Sequence, residues 1–236
     1  MLIDEFDFST DMMGGSLNMP VEMVETPALQ MSALGKLPLM AGMAKLEFSG
    51  YYSGYDAGDI HRELSDRIHA GTLSYAATLF DTTALGNPAN VLVSAWQDNA
   101  KINLAAKNLI TLDGSFTANP LRSGYTIANQ LMTAAAQTGV DMGAAGANGC
   151  TAYLFVRAIT GSPTAITVQL QGSTVVGFSS PVTLGTWTGF STVGCKVLTV
   201  APGTTIQRYL RLNVTALGGA TNFTACAIVC VPGVTE

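Results

Sequence analysis

The sequence predicts a mainly β protein in two parts: an N-terminal β domain with one flanking helix, then a C-terminal antiparallel β-sandwich. Three observations carry that reading. Of the 236 residues, 48% are hydrophobic and only 11% charged, against about 25% charged in an ordinary soluble protein. The chain holds 25 Gly and 9 Pro, and its short Val- and Thr-rich runs are divided by turn signals, the pattern of strands and not of helix bundles. Charge also changes along the chain. Residues 1–130 carry fourteen acids and seven bases, residues 131–236 two acids and four bases. That shift, beside the small-residue tract Thr133–Gly139, divides the chain into domains 1–130 and 131–236. So apolar a chain must cover surface, and association with further copies is the simplest means.

The N-terminus, MLIDEFDFSTD, has four acids and no basic stretch. It therefore does not read as a secretory signal, and the chain is expected to fold in a cytoplasm. Its acids Asp4, Glu5, Asp7 and Asp11 lack the spacing and the glycine of a calcium loop. The next segment, PVEMVETPALQMSALGKLPLM (Pro20 to Met40), contains three prolines. Their spacing argues against a continuous helix or a central strand. A long, irregular apolar segment is expected there, of the kind that serves a function, and its methionines suit a surface that packs onto a partner.

Met43 to Tyr52 alternates apolar Leu46 and Phe48 with Lys45, Glu47 and Ser49, which predicts a half-buried strand. In GDIHRELSDRIHAG the residues Ile60, Leu64 and Ile68 recur every four positions. A helix over Asp59–Ala70 follows, with Asp59 as N-cap and Gly71 past its end. After Asn87-Pro88, ANVLVSAWQDN reads as a strand that turns at Asn99 into KINLAAKNLITLDGSF, again sheet. The second half reads as strands throughout: CTAYLFVRAI, TAITVQLQG, CKVLTVA, QRYLRLNVTA and TNFTACAIVCV, separated by GSP, PGTT and LGGAT. Such spacing points to an antiparallel sandwich of roughly 100 residues, with Trp187 as a core aromatic.

No enzyme chemistry is expected. The two histidines, His61 and His69, lie eight residues apart, outside the spacing that puts two ligands on one metal, and both fall on the helix. No GxSxG, Walker A or GxGxxG motif occurs. Cys150, Cys195, Cys226 and Cys230 have no CxxC spacing. On one strand, Cys226 and Cys230 would share a face roughly 13 Å apart, too far to bridge, so all four read as small buried hydrophobes. A net charge of −5 and a pI near 4.9 argue against gripping nucleic acid. Arg208 and Arg211, flanking Tyr209, face opposite sides of a strand and form no basic patch. No apolar run reaches the roughly 18 residues of a membrane helix. Neither cofactor nor metal is expected.

The order of segments resembles the major tail tube protein of long-tailed bacteriophages. The matching stretch begins at VEMVETPALQMSALGKLPLMAGMAKLEFSGYY. It continues through the helix at Asp59–Ala70, AATLFDTTALGNPANVLVSAWQ and LITLDGSFTANP. The C-terminal half, QRYLRLNVTALGGATNFTACAIVCV above all, looks like the immunoglobulin-like sandwich often appended to such proteins. The resemblance implies a tail-tube-type β-sandwich or barrel with one flanking helix, six copies of which form a ring. Rings stack into a hollow virion tube, assembled in the host cytoplasm, through which the genome passes without specific binding. It implies tape measure, tail-tip and tail terminator proteins as partners. It makes Pro20, Met23, Pro27, Met31, Leu37, Pro38 and Met40 the loop that contacts the neighbouring subunit or ring, and it puts domain 131–236 on the outside of the tube. Acids facing the lumen would repel the passing DNA. Two other readings stand beside it: a capsid decoration or cement protein, and a carbohydrate-binding module with Trp187, Tyr153 or Tyr209 as an exposed stacking platform.

Overall fold

The computed structural model describes residues 1–8, 12–18, 21–26, 35–40, 43–51, 62–66, 73–79, 85–104, 110–118, 121–143 and 146–231. It is mainly β, with antiparallel sheets. The strands are β1 (Leu2–Ile3), β2 (Phe6–Asp7), β3 (Met12–Asn18), β4 (Val21–Thr26), β5 (Gly35–Met40), β6 (Ala44–Tyr51), β7 (Ser74–Leu79), β8 (Pro88–Asn103) and β9 (Thr111–Ala118). There follow β10 (Leu121–Met132), β11 (Val140–Asp141), β12 (Cys150–Gly161), β13 (Ile166–Ser173), β14 (Val182–Phe190), β15 (Gly194–Val200), β16 (Tyr209–Ala216) and β17 (Ala220–Cys230).

The chain divides into two compact units, but not by a single cut at residue 130. Met1–Asp7, Ala77–Val91 and Arg122–Glu236 form the larger, and Phe8–Ala76 with Leu92–Leu121 the smaller. The early segments belong with the C-terminal part because hydrogen bonding carries one sheet from β10 through β8 and β7 to β1 and β2. Charge follows this interleaving. The smaller unit has ten acids and six bases, net −4, and the larger six acids and five bases, net −1. The sharp change near residue 130 is thus softened in the folded chain.

In the larger unit two sheets enclose one core. The first runs β15-β12-β17-β10 and the second β11-β16-β13-β14. Apart from the β13–β14 hairpin, successive strands from β10 to β17 alternate between the sheets, and the last strand, β17, lies between β10 and β12. That is the order of an eight-stranded jelly roll. It corrects the immunoglobulin-like expectation, in which the first two strands would be neighbours in one sheet. The core holds Leu154, Val156, Val168, Leu170, Leu212 and Phe223, all fully buried. Trp187 joins it, as expected, and donates its indole N–H to the Lys196 carbonyl at 3.1 Å.

In the smaller unit the ladder runs β3-β6-β9-β8. Leu17, Leu46, Phe116 and Gln97 share one row across it, and Gly15, Phe48, Gly114 and Ala100 another. The Phe48 and Phe116 rings stack at 6.3 Å, and Phe48 fills the space a side chain at position 114 would need. The strand expected over Met43–Tyr52 is β6. The turn expected at Asn99 does not form. β8 runs straight through it because Asn99 pairs with Ser115, and a register shift between Gln97 and Asn99 absorbs Asp98. Residues 62–66 are helical with Leu64 fully buried, and the rest of the expected helix lies outside the described residues.

Two features here have measurable consequences. Gln97 sits on the buried side of the ladder at 6% exposure, and among the described residues neither amide atom has a hydrogen-bond partner. A buried, unpaired amide costs about 1–3 kcal/mol, so Gln97→Met is expected to stabilise the chain by about 1 kcal/mol in urea unfolding. In the larger unit, Arg208 clamps Asp141 with Nε to Oδ1 at 2.9 Å and Nη2 to Oδ2 at 2.7 Å, and Gly143 N–H adds a third bond at 2.9 Å. The Arg208 guanidinium, and then the Gly143 amide, hold the Asp141 carboxyl at about 2 instead of 3.8. Because its folded value is depressed, its contribution is full above the ordinary carboxyl range and lost as pH falls toward 2. Melting temperature should therefore drop over about pH 4 to 2, with a shallower drop in Asp141→Asn.

Candidate assembly surface

Sheet edges and exposed apolar side chains mark where a β protein can bind another chain. In the smaller unit, β3 pairs only with β6 among the described strands, and residues 13–16 are exposed. Gly14 and Gly15 keep this edge thin. Large apolar side chains stand out in the same unit: Met13 at 54% exposure, Trp96 at 51% and Leu104 at 79%.

At Val21–Thr26 and Gly35–Met40 the chain is not the irregular segment that the prolines suggested. Over the described residues, β4 and β5 pair antiparallel in continuous register. Proline is tolerated because this is a two-stranded sheet in which Pro38 needs no second neighbour. Of the expected contact residues, Met23 pairs with Pro38, Leu37 with Val24 and Met40 with Val21. The structure thus brings four of the seven onto one ribbon. Pro20, Pro27 and Met31 lie outside the described residues. No hydrogen-bonded ladder joins the ribbon to another described strand, and a lone two-stranded hairpin is marginally stable in water.

The exposed face of the β3-β6-β9-β8 ladder is polar and internally bonded. Asp98 accepts from Ser115 Oγ and from Thr117 Oγ1, the latter at 2.8 Å. Asp113 accepts from Asn103 Nδ2 at 2.6 Å, and Lys45 pairs with Glu47 at 2.9 Å. An open depression of about 510 Å³ lies here, lined by Ser16, Glu47, Ser49, Asn99, Asp113 and Ser115 among others. The sequence reading missed this face. The alternation in β6 pointed to it, but only strand pairing shows which polar residues meet.

The other singled-out residues lie elsewhere. His61 and His69 fall outside the described residues. Among the described residues no three His, Cys, Asp or Glu side chains form a group that could hold a metal ion, and no helix is long and apolar enough to cross a membrane. Trp187 and Tyr153 are buried, and Tyr209 lies 5.1 Å beneath the Arg208 guanidinium. Of those three only Tyr209 is partly exposed, so they do not form the shared platform of exposed aromatics that a stacking module needs. All four cysteines are free thiols. Burial pushes Cys150 up to about 11 and Cys226 and Cys230 up to about 12, and it raises Cys195 as well.

No family model matches the chain, and no curated protein matches it. Among solved structures it is similar to SPP1 Dit (gp 19.1), described as a paradigm of the hub adsorption apparatus in phages infecting Gram-positive bacteria. The two are 9% identical over 97% of this chain and 98% of that one, with a TM-score of 0.32. A likeness that loose carries no argument.

The thiol environment predicts a chemical signature. At pH 8 the native chain should react with a disulfide reagent far more slowly than the urea-unfolded chain, which should titrate all four thiols at once. Rapid native labelling of Cys226 would contradict its burial.

Proposed function

We propose that this chain is a structural virion protein of a long-tailed bacteriophage, assembling with itself into hexameric rings that stack as the tail tube. Its role is architectural and not catalytic. The smaller unit builds the ring, the jelly roll lies outside, and the genome passes through the lumen without specific binding. Tape measure, tail-tip and terminator proteins would cap and measure the tube.

The observation that carries this reading is the β4–β5 ribbon, a two-stranded sheet with apolar sequence and no ladder to any other described strand. Such a ribbon needs a surface to pack on. A second copy can supply one, since the same unit exposes Met13, Trp96 and the β3 edge. On this reading Met23, Leu37, Pro38 and Met40 touch the neighbouring subunit, with Pro20, Pro27 and Met31 in the same segment.

The test is negative-stain electron microscopy of the concentrated chain alone, with sedimentation as a second readout. Wild type should give hollow rings or tubes of regular repeat. Replacing residues 21–40 by a short Gly-Ser linker should leave monomers whose jelly roll melts within a few degrees of wild type. Wild-type monomers that bind empty capsids would instead identify a decoration protein.

A further inference from the structure

The second sheet of the jelly roll has a face the assembly reading does not use. On β16, Leu210, Leu212 and Val214 are buried in the core, so Tyr209, Arg211, Asn213 and Thr215 take the opposite face. Pairing sets Arg211 beside Gln171, which neighbours Thr183, and Asn213 beside Gln169, which neighbours Thr186. Their side chains form a relay. Arg211 Nε donates to Gln171 Oε1 at 3.0 Å, Gln171 Nε2 donates to Gln169 Oε1 at 3.0 Å, and Asn213 Nδ2 reaches that same oxygen at 3.5 Å.

Arg211 is held from below as well. Its guanidinium lies 4.3 Å over the Phe178 ring. Phe178 has a φ of 49°, the left-handed region that a bulky side chain rarely adopts, and strain of this kind collects at functional positions. The ring also packs so closely on Gly139 that a side chain there would have no room. Arg62, Arg157 and Arg208 each pair with an aspartate. Half-buried Arg211 has no carboxylate partner among the described residues.

A partly desolvated cation without a counter-ion is costly. Here it is also rigid, and with Nε engaged it still presents its two Nη groups, a fork that suits an oxyanion. Beside it, the Gln169 amide N–H, the Asn213 carbonyl and the hydroxyls of Thr183 and Thr186 offer donors and acceptors at about the 4.8 Å spacing of strands. That array suits the hydroxyls of sugar rings. We propose that Arg211, Gln169, Gln171 and Asn213 form a binding site for an acidic glycan, with its carboxylate or phosphate on Arg211. The site stands whether or not the chain forms a tube.

The test measures binding of the full chain to three probes: polygalacturonate, a phosphorylated mannan and neutral dextran. One acidic polymer should bind, its identity telling carboxylate from phosphate, and dextran should not. Arg211→Gln should weaken binding at least about tenfold with melting temperature held near wild type. Arg208→Gln, which alters an exposed cation already paired with Asp141, should stay within about twofold. Asn213→Ala leaves the guanidinium in place and should still weaken binding, which covers the case of an Arg211 variant that does not fold. Equal binding of dextran, equal loss in Arg208→Gln, or no binding of either acidic polymer would overturn the proposal.

Discussion

The ladder between β12 and β17 is the constraint on which the larger unit depends. It pairs Thr151 with Cys230 and continues to Gly161 with Ala220, interrupted by two register shifts. On the core side, bulk alternates with small residues across the strands: Ala152 faces Val229, Leu154 faces Ala227 and Val156 faces Ala225. Such pairs let the opposing sheet interdigitate without voids. On the other side Tyr153, Phe155, Cys226, Ile228 and Cys230 are buried too. Arg157 reaches across that side to Asp7 and to Asn129. A strand covered on both faces needs no polar alternation, which is why YLFV and ACAIVC read as unbroken apolar runs.

That two-sided burial also decides what the sequence could and could not announce. Strands with one exposed face declared themselves by period two: β6 and β16 were legible nearly to the residue. The runs of β12 and β17 were legible as strands, but nothing local in them says which sheet they join. A jelly roll and an immunoglobulin-like sandwich draw on strands of similar length and spacing, and they differ only in the pairing of residues a hundred positions apart, as with Asn129 and Cys226. The Asn99 turn failed for a related reason. Asparagine is a good turn residue, yet here the partner strand β9 continues and the bulge at Asp98 accommodates the extra residue. The prolines of Pro20 to Met40 excluded a central strand, and the described parts of the segment took another option, a two-stranded ribbon with no ladder to another described strand.

Candidate sites were less legible than the fold. The charge step at residue 130 looked like a domain label, but the chain threads 1–7 and 77–91 into the later unit, so a count that stops at residue 130 assigns four acids and one base to the wrong unit. Arg211 looked like half of a broken basic patch. Its environment comes from Phe178, Gly139 and Gln171, none within thirty residues of it along the chain.

The distribution of satisfied and unsatisfied surface also limits how the smaller unit can associate. Its exposed sheet face carries Asp98 and Asp113, whose oxygens already accept bonds from Ser115, Thr117 and Asn103. Pressing a dry partner onto that face would desolvate both carboxylates with no new donors to compensate, a cost of several kcal/mol per charge. The β3 edge has the opposite character, since its outer backbone groups lack a described partner strand and the nearby Met13 gains from burial. In the self-assembly proposed above, association through the edge and the ribbon would leave the polar face wet. In a closed ring built this way, a hydrated face lined with carboxylates would be the one free to look onto water, and onto whatever polyanion moves through it.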